Sequence, residues 1–169
     1  MDDRFLNQNG FTIIEMVMVI AIIGILAISA VSIIPPRKTI QLEARAQQLV
    51  NDIRYVQALS MSRHQRYRLD LSNSTQYEIL NGNGNSFVWP TIGSSIVELG
   101  DGITFSCSIN GSPCANYLVF DALGIPYLSA SSSENGSAIT DIVQFTLTEG
   151  VDSEIINVIP ETGYVSMSS

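Results

Sequence analysis

The chain has 169 residues, two cysteines, one histidine and a net charge of −8. The charge is unevenly divided: eight basic and five acidic residues precede Leu69, whereas eleven acidic residues and no lysine or arginine lie from Leu69 onward. Because proteins hold nucleic acid mainly through lysine and arginine contacts to phosphate, we do not expect this second part to bind it. The histidine and two cysteines are too few to ligate a metal ion, so we expect no metal and no cofactor.

The chain begins with a polar leader, residues 1–10, that lacks the apolar stretch of an ordinary secretory signal. The residues from Gly10 to Glu15 then read Gly-Phe-Thr-Ile-Ile-Glu, and an unbroken apolar run occupies residues 16–28. Glu15 therefore lies at the edge of a segment otherwise suited to lipid. An ionisable group in such a segment is costly to keep, which makes Glu15 a candidate functional residue.

This junction, with its glutamate and its apolar run, resembles the processing site of type IV prepilins and of type II secretion pseudopilins. The resemblance implies that a prepilin peptidase cuts between Gly10 and Phe11 and methylates the new N-terminus on Phe11. It also implies three kinds of partner: the peptidase, an inner-membrane assembly platform, and other pilin or pseudopilin subunits that pack through the N-terminal helix.

Glu15 has a suitable partner in the amino group that cleavage would free. Phe11 and Glu15 are four residues apart, so both lie on one face of a helix. The amine of the same chain or that of a neighbouring subunit could pair with the carboxylate, and in a filament the second pairing would neutralise both groups. The plainer alternative is that Glu15 is a polar residue at a membrane interface.

Residues 11–34 predict a transmembrane helix that also serves as a filament core. They carry one charge, and at 1.5 Å per residue a helix of this length reaches about 36 Å, enough to cross a bilayer core of about 30 Å. Pro35 and Pro36 then interrupt the pattern, and Arg37 and Lys38 mark the exit to water.

Two arguments about orientation disagree. Arg4 lies beside two aspartates in the leader, whereas Arg37, Lys38 and Arg45 follow the apolar segment, so the positive-inside rule alone places the C-terminal domain in the cytoplasm. The resemblance implies the reverse, with a cytoplasmic leader. We therefore expect a single-pass inner-membrane protein whose residues 35–169 form a periplasmic domain, which can also enter an extracellular or periplasmic filament.

Residues 39–63 predict an amphipathic helix. Apolar residues recur there at steps of four and three, which places them on one helix face: Leu42, Ala46, Leu49, Ile53 and Val56. The basic residues near the end of this helix are interpreted as a solvated face with favourable placement at the helix C-terminus rather than a nucleic-acid patch; they are Arg54, Arg63, Arg66 and Arg68.

Residues 66–169 form a predicted β-sheet region of short, evenly spaced strands with turn residues between them, which favours antiparallel sheet. A hairpin is expected around Tyr67 to Leu71 and Tyr77 to Ile79. Further strands are predicted at residues 86–89, 95–99, 103–107, 117–120, 125–128, 142–148, 154–159 and 164–167, with a polar loop at 129–137.

The two cysteines enclose a short loop. Cys107 and Cys114 flank Ser-Ile-Asn-Gly-Ser-Pro, whose turn-forming residues let the ends meet. In an oxidising compartment we expect a disulfide between them.

Two stretches of the domain resemble the GspH/FimT branch of minor pilins and pseudopilins: residues 46–71 and the closing residues 159–165. Within the first, the run Arg-Tyr-x-Gln-Ala-Leu-x-Met-Ser at residues 54–62 also resembles the minor pilin of mannose-sensitive haemagglutinin pili. The resemblance implies a pilin-like α+β fold, in which a long N-terminal helix packs on antiparallel β-sheet.

The expected function is that of a structural subunit, a minor pilin or pseudopilin that initiates or joins assembly of a type IV pilus or a type II secretion pseudopilus. The residues do not decide between the two systems. The alternative is a tip adhesin, a binding module that recognises a surface or a secreted protein. No enzymatic activity is expected, because the sequence contains no catalytic motif and His64 lies among arginines at a helix end.

Overall fold

The structure is a computed structural model that describes residues 11–31, 37–90, 92–100, 102–131 and 136–168. The chain divides into two compact units, Met1–Pro36 and Arg37–Ser169. The first contains helix α1, Ile13–Val31. The predicted apolar segment extends to residue 34, and the predicted bend at Pro35 and Pro36 lies outside the described residues. Among the helices of the described residues, none is long and apolar enough to cross a membrane.

The second unit begins with helix α2, Arg37–Arg63, which contains the predicted 39–63 segment. Its described residues then form short strands: β1 Tyr67–Asp70, β2 Gln76–Asn81, β3 Ile96–Glu98, β4 Ile103–Ile109, β5 Ser112–Pro113, β6 Tyr117–Phe120, β7 Pro126–Ser129, β8 Ser137–Ala138, β9 Val143–Glu149, β10 Asp152–Val158 and β11 Val165–Ser168.

The strands form two antiparallel sheets in the described part of the unit. One has the order β3-β2-β1-β6-β7-β8 and the other the order β11-β10-β9-β4-β5. Helix α2 contacts strands of both sheets, among them β1 and β6 of the first and β9, β10 and β11 of the second. The fold class, helix on antiparallel sheet, is confirmed, and the division of the strands between two sheets is a feature that residue patterns did not indicate.

Helix α2 is stabilised by burial of its apolar stripe at the centre of the core. The five residues of the predicted stripe, Leu42, Ala46, Leu49, Ile53 and Val56, are each no more than 1% exposed. They belong to one apolar cluster with side chains from both sheets, such as Leu69 and Phe145. A helix that fills the core of two sheets holds them together as one domain.

The end of α2 is a Schellman motif built on the chain's one histidine. His64 has a φ of 51°, its N–H donates to the Met61 carbonyl, and the Gln65 N–H donates to the Ser60 carbonyl at 3.2 Å. This pair of bonds satisfies carbonyls that a helix end otherwise leaves unpaired. His64 therefore stops the helix.

Most predicted strands are present with shifted ends, but the strand predicted at residues 86–89 is wrong. Ser86 makes only an isolated bridge to Leu80, and the Trp89 N–H donates across a loop to the Ser94 carbonyl at 2.8 Å. Trp89 is nevertheless buried, because its ring packs near Tyr55 and Tyr77. The apolar residues that predicted a strand lie instead in a loop, and Trp89 of that loop packs into the core.

Candidate functional site

The first turn of α1 is held by a cap within the predicted processing motif. The Glu15 N–H donates to the Thr12 carbonyl at 3.1 Å and lies 3.3 Å from Thr12 Oγ1. Thr12 is thus the residue that caps the helix, and Glu15 is the third helical residue, which is the spacing of a capping box. The Thr-x-x-Glu spacing was a visible signal for this cap that the sequence reasoning missed.

The cap places Glu15 in the first turn and leaves Phe11 just ahead of the helix. A carboxylate in the first turn interacts favourably with the helix dipole. Phe11, Glu15, Met16, Val19 and Ile20 line one shallow depression along this unit, so Phe11 and Glu15 share a side of α1 as their spacing predicts. Gly10, the other predicted processing residue, lies outside the described residues.

The apolar side chains of α1 that the structure describes are exposed on every side of the helix. The large apolar residues between Phe11 and Leu26 are 49–85% exposed. A helix that is apolar all round is suited to burial in lipid or among other helices, since it has no polar face for water. Glu15 is the one charged residue within this apolar surface.

A second set of polar contacts joins α2 to both sheets. Gln57 Nε2 donates to the Gly124 carbonyl in the β6–β7 turn and to the Thr162 carbonyl in the β10–β11 turn, each at 2.8 Å. One turn earlier, Arg54 donates to the Val165 carbonyl at 2.7 Å. The two stretches that resemble minor pilins, residues 46–71 and 159–165, therefore meet in space.

Glycine at position 163 is required by this junction. Gly163 has a φ of 65°, and a Cβ there would lie 2.5 Å from Gln57 Nε2 and 2.8 Å from the Gly124 carbonyl oxygen. A larger residue would force the hairpin away from the helix. The junction is thus a packed structural site.

Asp52 and Tyr77 form a polar pair at the edge of the core. The Tyr77 hydroxyl donates to Asp52 Oδ2 at 2.5 Å. Burial raises the pKa of Asp52, and the hydrogen bond from Tyr77 partly opposes this. Burial and the nearby Asp52 carboxylate likewise raise the pKa of Tyr77. The contacts tie α2 to β2.

The interpretation of the arginines as one solvated face is wrong for Arg68. Its side chain is 1% exposed and donates to the carbonyls of Gly82 at 3.1 Å and Ser131 at 3.3 Å. Burial lowers the pKa of Arg68, and the neighbouring Arg66 lowers it further. Alternation along β1 assigned Arg68 to the solvent face, but loops cover that face.

The predicted disulfide is present. Cys107 in β4 is bonded to Cys114, just after β5, and the Cys114 N–H also donates to the Cys107 carbonyl. The bond closes a hairpin at one edge of the five-stranded sheet. Over the described ranges of the chain, no three His, Cys, Asp or Glu side chains form a group that could hold a metal ion.

Comparisons with known proteins found matches to the N-terminal motif and to the fold. Residues 6–31 match the family model described as the prokaryotic N-terminal methylation motif. No curated protein sequence matches the chain. Two structures of the minor pseudopilin EpsH from the type 2 secretion system of Vibrio cholerae superpose with TM-scores of 0.54 and 0.56, at 10% and 7% identity. They cover 76% of this chain and 97% and 96% of EpsH.

The type IV minor pilin FimU of Pseudomonas aeruginosa gives a TM-score of 0.49 at 12% identity, over 80% of this chain and 93% of FimU. The likeness to EpsH confirms the pilin-like α+β fold. The motif match confirms the methylation motif that the N-terminal residues predicted.

Proposed function

We propose that the protein is a minor pilin or pseudopilin, a non-enzymatic structural subunit of a type IV pilus or of a type II secretion pseudopilus. The observation that carries the proposal is Glu15, a carboxylate in the capped first turn of a helix whose large apolar side chains are exposed as far as Leu26. That helix lies within the match to the methylation motif, and the domain that follows has the pilin fold.

Processing is the first proposed step. A prepilin peptidase cuts between Gly10 and Phe11 and methylates the new amino group, while residues 11–34 hold the subunit in the inner membrane with its domain in the periplasm. The extreme exposure of apolar side chains on α1 supports an apolar environment for this segment.

Assembly is the second proposed step. In the filament, α1 packs among the same helices of neighbouring subunits, and Glu15 pairs with the amino group on Phe11 of an adjacent subunit. The pairing neutralises two charges that would each be costly alone in an apolar core.

The processing step is tested by mass spectrometry of the protein from membranes with and without prepilin peptidase. We expect the mature form to lack residues 1–10 and to carry a methyl group on Phe11. An intact leader on subunits recovered from filaments would overturn this part of the proposal.

The assembly step is tested by Glu15→Ala. We expect incorporation into filaments to fall by at least about ten-fold, since an unpaired charge left in an apolar core costs more than about 1.4 kcal/mol. The amount in the membrane fraction should not change. Glu43→Ala, at an exposed position of α2, is the matched control and should assemble normally. Normal incorporation of Glu15→Ala would contradict the pairing.

A further inference from the structure

Met61 lies where α2 meets the β6–β7 turn, beside the contacts that Gln57 makes with both sheets. Gln57 and Met61 are four residues apart and therefore share one face of the helix. A Cβ built on Gly124 would lie 2.9 Å from Met61 Sδ and 3.3 Å from Gln57 Nε2, so both side chains pack against the backbone of this turn. We propose that Met61 is a site of oxidation by hydrogen peroxide, and that its sulfoxide loosens the junction of α2 with the two sheets.

Met61 is open to solvent even though its sulfur packs against the turn. The residue is 41% exposed. Leu123 and Tyr164, which belong to the two turns that Gln57 joins, are exposed as well. A small oxidant in water can therefore reach this corner of the domain, and exposure is what makes a sulfur susceptible to oxidation.

Few other groups in the chain compete for the oxidant. Both cysteines are bonded to each other, so the chain presents no free thiol. Of the four other methionines, Met1 lies in the leader, and Met16 and Met18 lie on α1 in the first unit. Met167, in β11, is half-buried and packs against the apolar core. The thioether of Met61 is thus the more accessible of the two in the domain.

The reaction transfers one oxygen atom to the sulfur. An S–O bond forms on Met61 Sδ, the O–O bond of hydrogen peroxide breaks, and water leaves. The sulfur loses two electrons and the peroxide gains them. The product, methionine sulfoxide, has a polar oxygen where the thioether was apolar and only a weak acceptor of hydrogen bonds.

Gln57 cannot satisfy the new oxygen without giving up a contact. Its Nε2 carries two hydrogens and donates to the carbonyls of Gly124 and Thr162. A sulfoxide that accepts one of these hydrogens breaks a bond between α2 and a sheet. A sulfoxide that turns toward water withdraws the sulfur from its contact with Gly124. Both arrangements weaken the junction.

The test treats the full chain in detergent micelles with hydrogen peroxide and follows each methionine by mass spectrometry. Digestion after acidic residues places Met61 and Met167 in separate peptides. We expect the Met61 peptide to gain one oxygen atom several-fold faster than the Met167 peptide. Urea unfolding of the oxidised protein should give an equilibrium constant for folding that is smaller by about five-fold.

Two leucine variants assign the effect to one sulfur. Met61→Leu keeps a side chain of similar volume without the thioether, so peroxide should leave its urea midpoint unchanged. Met167→Leu is the matched control and should lose stability on oxidation as the wild type does. Oxidation of Met16 and Met18 is common to both variants and cancels from the comparison.

A third variant tests the link to the junction. In Gln57→Ala the two hydrogen bonds to the turns are already absent, so oxidation of Met61 should lower the folding constant less than it does in the wild type. An equal loss in Gln57→Ala would separate Met61 from the junction and overturn the proposed coupling.

Three other results would overturn the proposal. Oxidation of Met167 as fast as that of Met61 would refute the selectivity of the site. An oxidised wild type as stable as the reduced protein would refute the effect on the fold. A loss of stability in peroxide-treated Met61→Leu equal to that in Met167→Leu would assign the effect to another residue.

Discussion

At the scale of single residues, the charged groups differ in their surroundings. Glu15 is a carboxylate on an exposed apolar helix, Asp52 is a half-buried carboxylate paired with a hydroxyl, and Arg68 is a buried guanidinium held by carbonyls. Only the first was identified as functional from the sequence. The other two support the fold through the hydrogen bonds that join Asp52 to Tyr77 and Arg68 to two loop carbonyls, and burial shifts the pKa of each.

Asp52 should make stability depend on pH in the direction opposite to that of most carboxylates. Its pKa is raised in the folded state above its usual 3.8, so the folded state holds more protons between the two values. The contribution of this group to stability is therefore greatest in acid, falls as the pH rises through the folded pKa, and is unfavourable at neutral pH.

Asp52→Asn should remove this dependence, because asparagine can still accept the hydrogen bond from Tyr77 without carrying a charge. We expect the stability of Asp52→Asn relative to the wild type to increase from pH 3.5 to pH 7, as measured by urea unfolding at a series of pH values. Glu43→Gln, at an exposed position of the same helix, should show no such trend. A relative stability that falls with pH would contradict the raised pKa.

At the scale of elements, α2 holds the domain together through polar contacts in its C-terminal part as well as through its apolar stripe. Gln57 donates a hydrogen bond to a turn of each sheet. Its two acceptors are carbonyls in turns that are otherwise separated by 38 residues of chain, Gly124 and Thr162. The Gln57 side chain thus links the two sheets through hydrogen bonds to one turn of each.

Gln57→Ala should lower the free energy of unfolding by roughly 1–3 kcal/mol, because it removes two hydrogen bonds and leaves the carbonyl of the buried Gly124 without this donor. The measurement is urea unfolding at neutral pH. Gln47→Ala, on the exposed side of α2, is the control and should change stability by less than about 0.5 kcal/mol. A loss for Gln57→Ala no larger than that of the control would contradict the role of the junction.

The elements themselves were largely predictable, since local pattern determines them. The stripe from Leu42 to Val56 predicted the helix, and short segments bounded by turn residues predicted β6 and β9. The predicted β6 has the same bounds as the observed strand. The two-residue strands β5 and β8 consist of serine, proline and alanine and carry no alternation to detect.

The contacts between distant segments were not predictable from the same patterns. Arg68 has the sequence position of a solvent-facing residue, and only the loops at Gly82 and Ser131 bury it. In the same way, the donor role of Gln57 depends on turns far along the chain. At the N-terminus the Thr12 cap could have been predicted from its Thr-x-x-Glu spacing, because Thr12 and Glu15 lie within one helical turn.

At the scale of the whole molecule, the second unit has one core shared by a helix and two sheets. Buried residues of α2, such as Leu49 and Ile53, belong to the same cluster as Leu69 of the first sheet and Phe145 of the second. Neither sheet can lose the helix without exposing its own apolar face. The two sheets should therefore unfold together.

Hydrogen exchange followed by mass spectrometry at increasing urea concentration tests this cooperativity. We expect peptides from α2, β1 and β9 to become exposed at one common urea midpoint, with the edge strands β3 and β8 opening earlier because they are short and lie at a sheet edge. Separate midpoints for β1 and β9 would show that the sheets are independent and would contradict the single core.

The cap at Thr12 has a consequence for how the leader can be lost. Because Thr12 follows the proposed cut and accepts the hydrogen bonds that start α1, a cut between Gly10 and Phe11 would leave this cap in the mature chain. Phe11 lies ahead of the first helical turn, on the side of the proposed cut. We therefore expect removal of the leader to replace a polar tail with a methylated amino group while the cap that starts the helix stays in place.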